Sequence, residues 1–250
     1  MIKPKKPAMK SETLTLKYDK GKFPVYYAEQ EHTDSGIILI EEIWGLNDHI
    51  KDVANRLAAL GYSVVSPELL SDSGVLEKIS PDIFREMSDP AKRDEAQKKM
   101  RDAIAPVYSP DFGKNAIGKL QSSFEFLKKK EIENIAVMGF CFGGTYSFAF
   151  ATENKHLKAC VAFYGQPPLG KTASIHCPVL AFYGEKDTRL IESLPVLQEQ
   201  MEKHGKEFNH RVYNNTGHAF FNDTNPMMYN QEAAEDAWIL TVEFLRKHLA

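Results

Sequence analysis

The feature that most constrains this chain is a series of short, unbroken apolar runs, each followed by a stretch with another rhythm. They are GIILIEEI (36–43), YSVVSPEL (62–69), IAVMGF (135–140), LKACVAFYG (157–165) and CPVLAFYG (177–184), with HRVYN (210–214) as a weaker sixth. Runs of this length suit strands, and the lack of polar alternation means that both faces are covered. Between them, Ile50, Val53, Leu57 and Leu60 share one helical face, with Asn47 or Asp48 as cap and Gly61 as stop. Ile117, Leu120, Phe124 and Leu127 share another, and Ala237, Leu240 and Phe244 a third. GTYSFAFA after the third run reads as a short helix, and Leu194, Leu197 and Met201 mark one expected to begin near Pro195. Strands alternating with helices predict an α/β fold: a mostly parallel central sheet with helices on both faces.

Upstream, Leu14, Leu16 and Tyr18 alternate, Asp19–Lys22 turn, and Phe23, Val25 and Tyr27 alternate again, an N-terminal antiparallel hairpin. Residues 1–10 read as a flexible tail and 11–250 as a single domain. Within it, 71–113 is a charged, partly helical excursion near the site, marked by Pro81, Pro90, Pro106 and Pro110. The Lys-rich start lacks the apolar run of a signal peptide, and no stretch approaches ~18 apolar residues. The three cysteines are odd in number and scattered, which argues against a disulfide framework or a zinc site. A cytoplasmic protein with no membrane association is expected. The net charge of −3 predicts no nucleic-acid partner.

In open parallel sheets ligands bind past the carboxyl ends of the strands, so the residues there carry the chemistry. The first run ends in Glu41-Glu42, the third in Cys141, the fifth in GEKD with Asp187, and the sixth leads to His218. A thiolate attacks carbonyl carbon, a neighbouring imidazole takes the thiol proton, and a carboxylate holds that imidazole in the useful tautomer. Gly139 and Gly143 flank Cys141 two residues away on either side, as a sharp strand-to-helix turn requires. The helix that follows favours an anion at its N-terminus. The N–H of Phe142 then points toward a developing oxyanion. Taken singly, Asp187 could cap a helix and His218 could be an ordinary loop histidine. Cys160 and Cys177 lie inside apolar runs and read as core.

EIWGLN (42–47), GFCFGG (139–144), GEKD (184–187) and GHAF (217–220) together resemble the dienelactone hydrolase family of the α/β-hydrolase fold, from about Ser35 to the C-terminus. The resemblance implies Cys141 as nucleophile, His218 as base and Asp187 as orienting acid. Glu42 matches the family's extra carboxylate near the thiol, and Ile43 and Phe142 supply the oxyanion N–H groups. Members proper hold a substrate carboxylate with arginines, one of them four residues past the histidine. Here that position is Asn222, while Lys98, Lys99 and Arg101 lie where another basic residue is expected. Trp44, Arg101, Asn222 and Phe221 are the candidate substrate contacts, and Phe140, Phe142 and Phe220 add aromatic character.

The expected activity is hydrolysis of a lactone or small carboxylic ester, without cofactor or metal, by a monomer or small homo-oligomer. Asn222 in place of arginine motivates an alternative: a thioesterase or general carboxylesterase acting on a neutral substrate. A reading of another class is a non-catalytic homologue that binds a ligand or senses oxidant through Cys141.

Overall fold

The structure, a computed structural model, describes residues 9–30, 33–79, 82, 83, 86 and 89–250. Most of the expected tail, residues 1–8, lies outside them, and Lys10 already belongs to the first strand. Strands β1 (Lys10–Tyr18) and β2 (Gly21–Glu29) form the antiparallel hairpin, with Tyr18 opposite Gly21. Strands β3 (Ser35–Ile40), β4 (Ser63–Pro67), β5 (Asn134–Phe140), β6 (Ala159–Phe163), β7 (Val179–Gly184) and β8 (Phe208–Tyr213) run parallel to one another. One sheet of eight results, in the order β1-β2-β4-β3-β5-β6-β7-β8.

Strands β3 to β7 are buried on both faces, whereas edge strand β8 alternates, which is why the central runs are unbroken in sequence. Among the described residues six α-helices accompany the sheet: α1 (Asp48–Ala59), α2 (Arg93–Ile104), α3 (Pro110–Lys129), α4 (Phe142–Glu153), α5 (Thr188–Lys203) and α6 (Gln231–Leu249). Helices α1 and α6 meet through Arg56, whose guanidinium stands 4.0 Å from the Trp238 ring. Helices α3 and α4 meet through Phe112 and Tyr146, with ring centroids 6.0 Å apart. None of the described helices is long and apolar enough to cross a membrane.

Two expectations need correction. Helix α5 begins at Thr188, not near Pro195, which lies inside it. The chain passes from β7 through a short turn straight into the helix, and the Asp187 carbonyl accepts the Leu190 and Ile191 N–H groups. Proline signals a first helical turn in general, but here it sits in the interior, where its missing N–H costs one intrahelical bond. Helix α3 begins at Pro110, so the end of the 71–113 stretch belongs to a core helix, capped by Ser109 Oγ on the Phe112 N–H at 3.1 Å. The start of that stretch is tied down as well. Lys119 of α3 is fully buried and donates to Leu69 O at 3.0 Å, Ser71 Oγ at 3.2 Å and Asp72 Oδ1 at 2.5 Å.

The sheet order reverses at β3 and β5: β3 continues to β4 on one side, and the chain returns to β5 on the other. This switch point opens a crevice above the carboxyl ends of β3 and β5. Glu42 and Cys141 stand at those two ends. Their approach depends on Gly143, where a Cβ would lie 2.4 Å from Ile40 O and 2.5 Å from Glu41 O. Both obstacles are backbone of a central strand and its exit, which cannot move cheaply. Gly143→Ala is therefore expected to destabilise the fold by ~3 kcal/mol, lowering the melting temperature by roughly 6–12 °C. An unchanged melting temperature would show that the α4–β3 contact is looser than described.

Candidate active site

Cys141 sits between β5 and α4 with φ 54° and ψ −112°, a left-handed-side backbone that a residue with a side chain adopts only at a cost. The surroundings hold it there. Its N–H donates to Phe163 O at 2.9 Å, and its carbonyl accepts the Thr145 N–H at 3.0 Å. Gly139 and Gly143 touch so closely that a Cβ on Gly139 would lie 2.3 Å from Gly143 O. The turn thus lifts the Cys141 side chain to a half-exposed position, while Cys160 and Cys177 stay buried. Phe142 is the first residue of α4, so its N–H has no intrahelical acceptor and is available to an oxyanion.

Asp187 and His218 arrive on two loops packed backbone to backbone. A Cβ on Gly184 would lie 2.4 Å from Gly217 O, so only glycine lets these loops meet. Lys186 N–H donates to Thr216 O at 2.9 Å, and Asn215 N–H to Glu185 Oε2 at 2.7 Å. The result is a hydrogen bond between His218 Nδ1 and Asp187 Oδ2. Asp187 precedes α5 but caps it only through its carbonyl, leaving the carboxylate to His218. His218 and Cys141 line the same cleft. Burial alone would pull the imidazole down, but the sulfur of Cys141 and the Asp187 carboxylate together hold it well above the usual histidine range.

The two carboxylates after β3 diverge. Glu41 is fully buried away from the cleft, with Oε1 accepting the Leu70 N–H at 3.0 Å and Oε2 unpartnered among the described residues. Burial pushes it well above the usual carboxylate range. A carboxyl whose folded pKa is raised loses stability as pH climbs from the unfolded value toward the folded one, because the native state holds the proton more tightly. Glu41→Gln is therefore expected to melt near the wild type at pH 4 and a few degrees above it at pH 7. Parallel melting curves across that range would contradict a neutral Glu41.

Glu42 faces the site instead. It is 2% exposed, with Oε1 accepting from the Tyr164 hydroxyl at 3.3 Å and Oε2 from Asn222 Nδ2 at 2.7 Å. Burial raises its pKa, against the opposing pull of His49, Asn222, His218 and Tyr164. Asn222 Oδ1 accepts from Thr224 N at 3.1 Å and Thr224 Oγ1 at 2.6 Å, which fixes the amide with its NH₂ on Glu42. Behind Glu42, buried His49 pairs with Asp223 at 3.4 Å.

A cleft of about 1150 Å³ opens over Cys141, Asp187 and His218, and Ile43 and Phe142 line it beside the thiol. The remaining sequence candidates fall elsewhere. Asn222 is buried and engaged with Glu42, so it does not reach the cleft. Phe221 is core, stacked on Phe140 at 5.1 Å. Trp44 is half-buried in the turn closed by Gly45 N on Glu42 O and is not part of the cleft lining. Arg101 is exposed on α2 outside the lining, and Lys99 pairs with Glu95 at 3.1 Å. Among the described residues the lysines and arginine that line the cleft are Lys114, Lys171 and Arg189, all exposed. The 71–113 stretch contributes Met100, Ile104, Val107, Tyr108 and Pro110 to the wall.

Tyr164 was missed in the sequence. It follows β6 with φ 39°, lies against His218 at 4.9 Å between ring centroids, and hydrogen-bonds Glu42. A signal was present: Ala-Phe-Tyr-Gly occurs at 162–165 and again at 181–184, the second copy leading to Asp187. The two copies pair in register, Ala162 with Ala181 and Phe163 with Phe182. By the same strand-end rule the first copy also marks the site.

The eight-stranded mixed sheet, with a sharp strand-to-helix turn at Cys141 after β5, defines the α/β-hydrolase fold. The profile of the Dienelactone hydrolase family matches residues 23–249, and the chain belongs to that family of hydrolases. A protein of Saccharolobus solfataricus provisionally named carboxymethylenebutenolidase is 32% identical over 248 residues, covering 92% of this chain and 95% of its own. A protein of the same provisional name from Escherichia coli K12 is 28% identical over 240 residues, covering 90% and 82%. Among solved structures, a provisionally named dienelactone hydrolase of Klebsiella pneumoniae superposes with a TM-score of 0.77 at 24% identity, covering 96% of this chain and 99% of that one. A dienelactone hydrolase-like promiscuous phosphotriesterase from metagenomic libraries gives 0.77 at 20% identity, covering 97% and 100%.

Proposed function

We propose that this chain hydrolyses a lactone or carboxylic ester through a Cys141–His218–Asp187 triad. The observation that carries the reading is the strained Cys141 turn, which shares one cleft with His218, whose Nδ1 is bound to the Asp187 carboxylate. Cys141 Sγ bonds to the carbonyl carbon, and the thiol proton passes to His218. The oxyanion rests on the N–H groups of Ile43 and Phe142. As the C–O bond to the alcohol breaks, His218 returns its proton to the departing oxygen. Water then adds to the thioester carbon and yields a proton to His218. The C–S bond breaks, and the thiol is restored as the acid leaves. Glu42 is a buried carboxylate beside this chemistry, in reach of the His218 charge and solvated by Tyr164 and Asn222.

The Asn222 amide on Glu42 and the exposed Arg101 favour a neutral substrate over one with a carboxylate at the reacting end. Steady-state assays of the purified protein on a panel of lactones and aryl esters test the reading. Saturable turnover of at least one class is expected. Rates no faster than those of the protein alkylated at Cys141 would overturn it.

A further inference from the structure

The cleft is larger than a small lactone needs. Its volume of about 1150 Å³ exceeds the ~300–1,000 Å³ usual for small-molecule pockets. Its floor is one side of a single helix. Thr145, Tyr146, Ala149, Thr152 and Glu153 of α4 all line it, continuing from Cys141 and Phe142. At ~1.5 Å rise per residue that strip reaches ~18 Å from the thiol to the end of the helix. Pro110, Gly113 and Ile117 of α3 line it too, as do Pro167, Pro168 and Leu169 of the loop after β6. Apart from Asp187 and His218 at the thiol end, the charged side chains that line it are exposed: Lys114, Lys171, Arg189 and, at the far end, Glu153.

We infer that the groove along α4 holds an extended apolar chain attached to the carbonyl that Cys141 attacks, so that the preferred substrate is a neutral ester of a long acyl group. This rests on the ester-hydrolase reading above and specifies its substrate class. The walls offer alkyl and aromatic surface along the length that such a chain spans. Among the described residues, the lysines and arginine that line the groove beyond the thiol end are all exposed, which leaves an acyl carboxylate without a buried partner along its length.

Hydrolysis of a 4-nitrophenyl ester series from acetyl to decanoyl, with a chain bearing a terminal carboxylate alongside, tests the inference on the wild-type protein. A fully buried methylene contributes about fourfold, so half-burial of six raises kcat/KM from acetyl to octanoyl by roughly fifty- to a hundredfold. Octanoyl and acetyl esters within threefold of each other, or preference for the carboxylate-terminated chain, would overturn it while leaving ester hydrolysis intact. Absence of hydrolysis across the whole series would instead remove the catalytic reading beneath it. Ala149→Trp gives an independent check, because Ala149 lies ~12 Å along the strip from Cys141. The octanoyl-to-acetyl ratio of kcat/KM is expected to fall at least tenfold in that variant. An unchanged ratio would place the chain outside the groove.

Discussion

Cys141→Ala is expected to lower kcat/KM on any ester that the wild type hydrolyses by at least ~10⁴-fold, the scale seen when a covalent nucleophile is removed. No other thiol can replace it. Cys160 is fully buried in β6 and Cys177 is 5% exposed before β7. Burial pushes the Cys177 thiol up to about 12 and the Cys160 thiol well above its ordinary value, so neither supplies a nucleophile near neutral pH. The variant should fold, because alanine keeps a Cβ on the same strained backbone and the Phe163 and Thr145 hydrogen bonds use only main-chain atoms. Loss of activity with an unchanged melting temperature is therefore the expected pair of results. Activity within tenfold of the wild type would place the nucleophile elsewhere.

Asp187→Asn is expected to cost ~10³–10⁴-fold in kcat with little change in stability. The carboxylate binds His218 Nδ1, and in the proposed mechanism the other ring nitrogen accepts the thiol proton. An asparagine amide can meet Nδ1 with either its oxygen or its NH₂, so the productive tautomer is no longer enforced. The imidazolium formed during the reaction also loses its countercharge. Asp187 caps α5 with its carbonyl rather than its side chain, so the helix should survive the change. A fall of less than tenfold would mean that His218 is oriented by other contacts.

Much of this arrangement was legible in the sequence, for physical reasons. Strands buried on both faces leave unbroken apolar runs, and glycines two residues either side of a cysteine are required where backbones approach within 2.3–2.5 Å of a would-be Cβ. The hairpin was legible because both of its strands bury one face more than the other, so their side chains alternate. What was less legible depended on how loops turn after the strands end. Asn222 lies four residues past His218, a spacing that suggests a substrate contact, but Ala219 adopts φ 56° and the chain folds inward, placing the amide on Glu42. Arg101 could be assigned to a helix by pattern, but periodicity does not say which side of that helix meets the cleft. Tyr164 carries an ordinary-looking side chain whose direction is set by a φ of 39°. Pro195 misled because proline usually opens a helix, whereas α5 starts seven residues earlier, at Thr188.

The central claim is that Cys141 carries the acyl group during turnover. Rapid mixing with a 4-nitrophenyl ester, acid quench within milliseconds to seconds, and intact-protein and peptide mass spectrometry test it most directly. The account predicts a transient mass increase equal to one acyl group, located on Cys141 and absent from Cys141→Ala. Steady turnover with the acyl group on any other residue would contradict it.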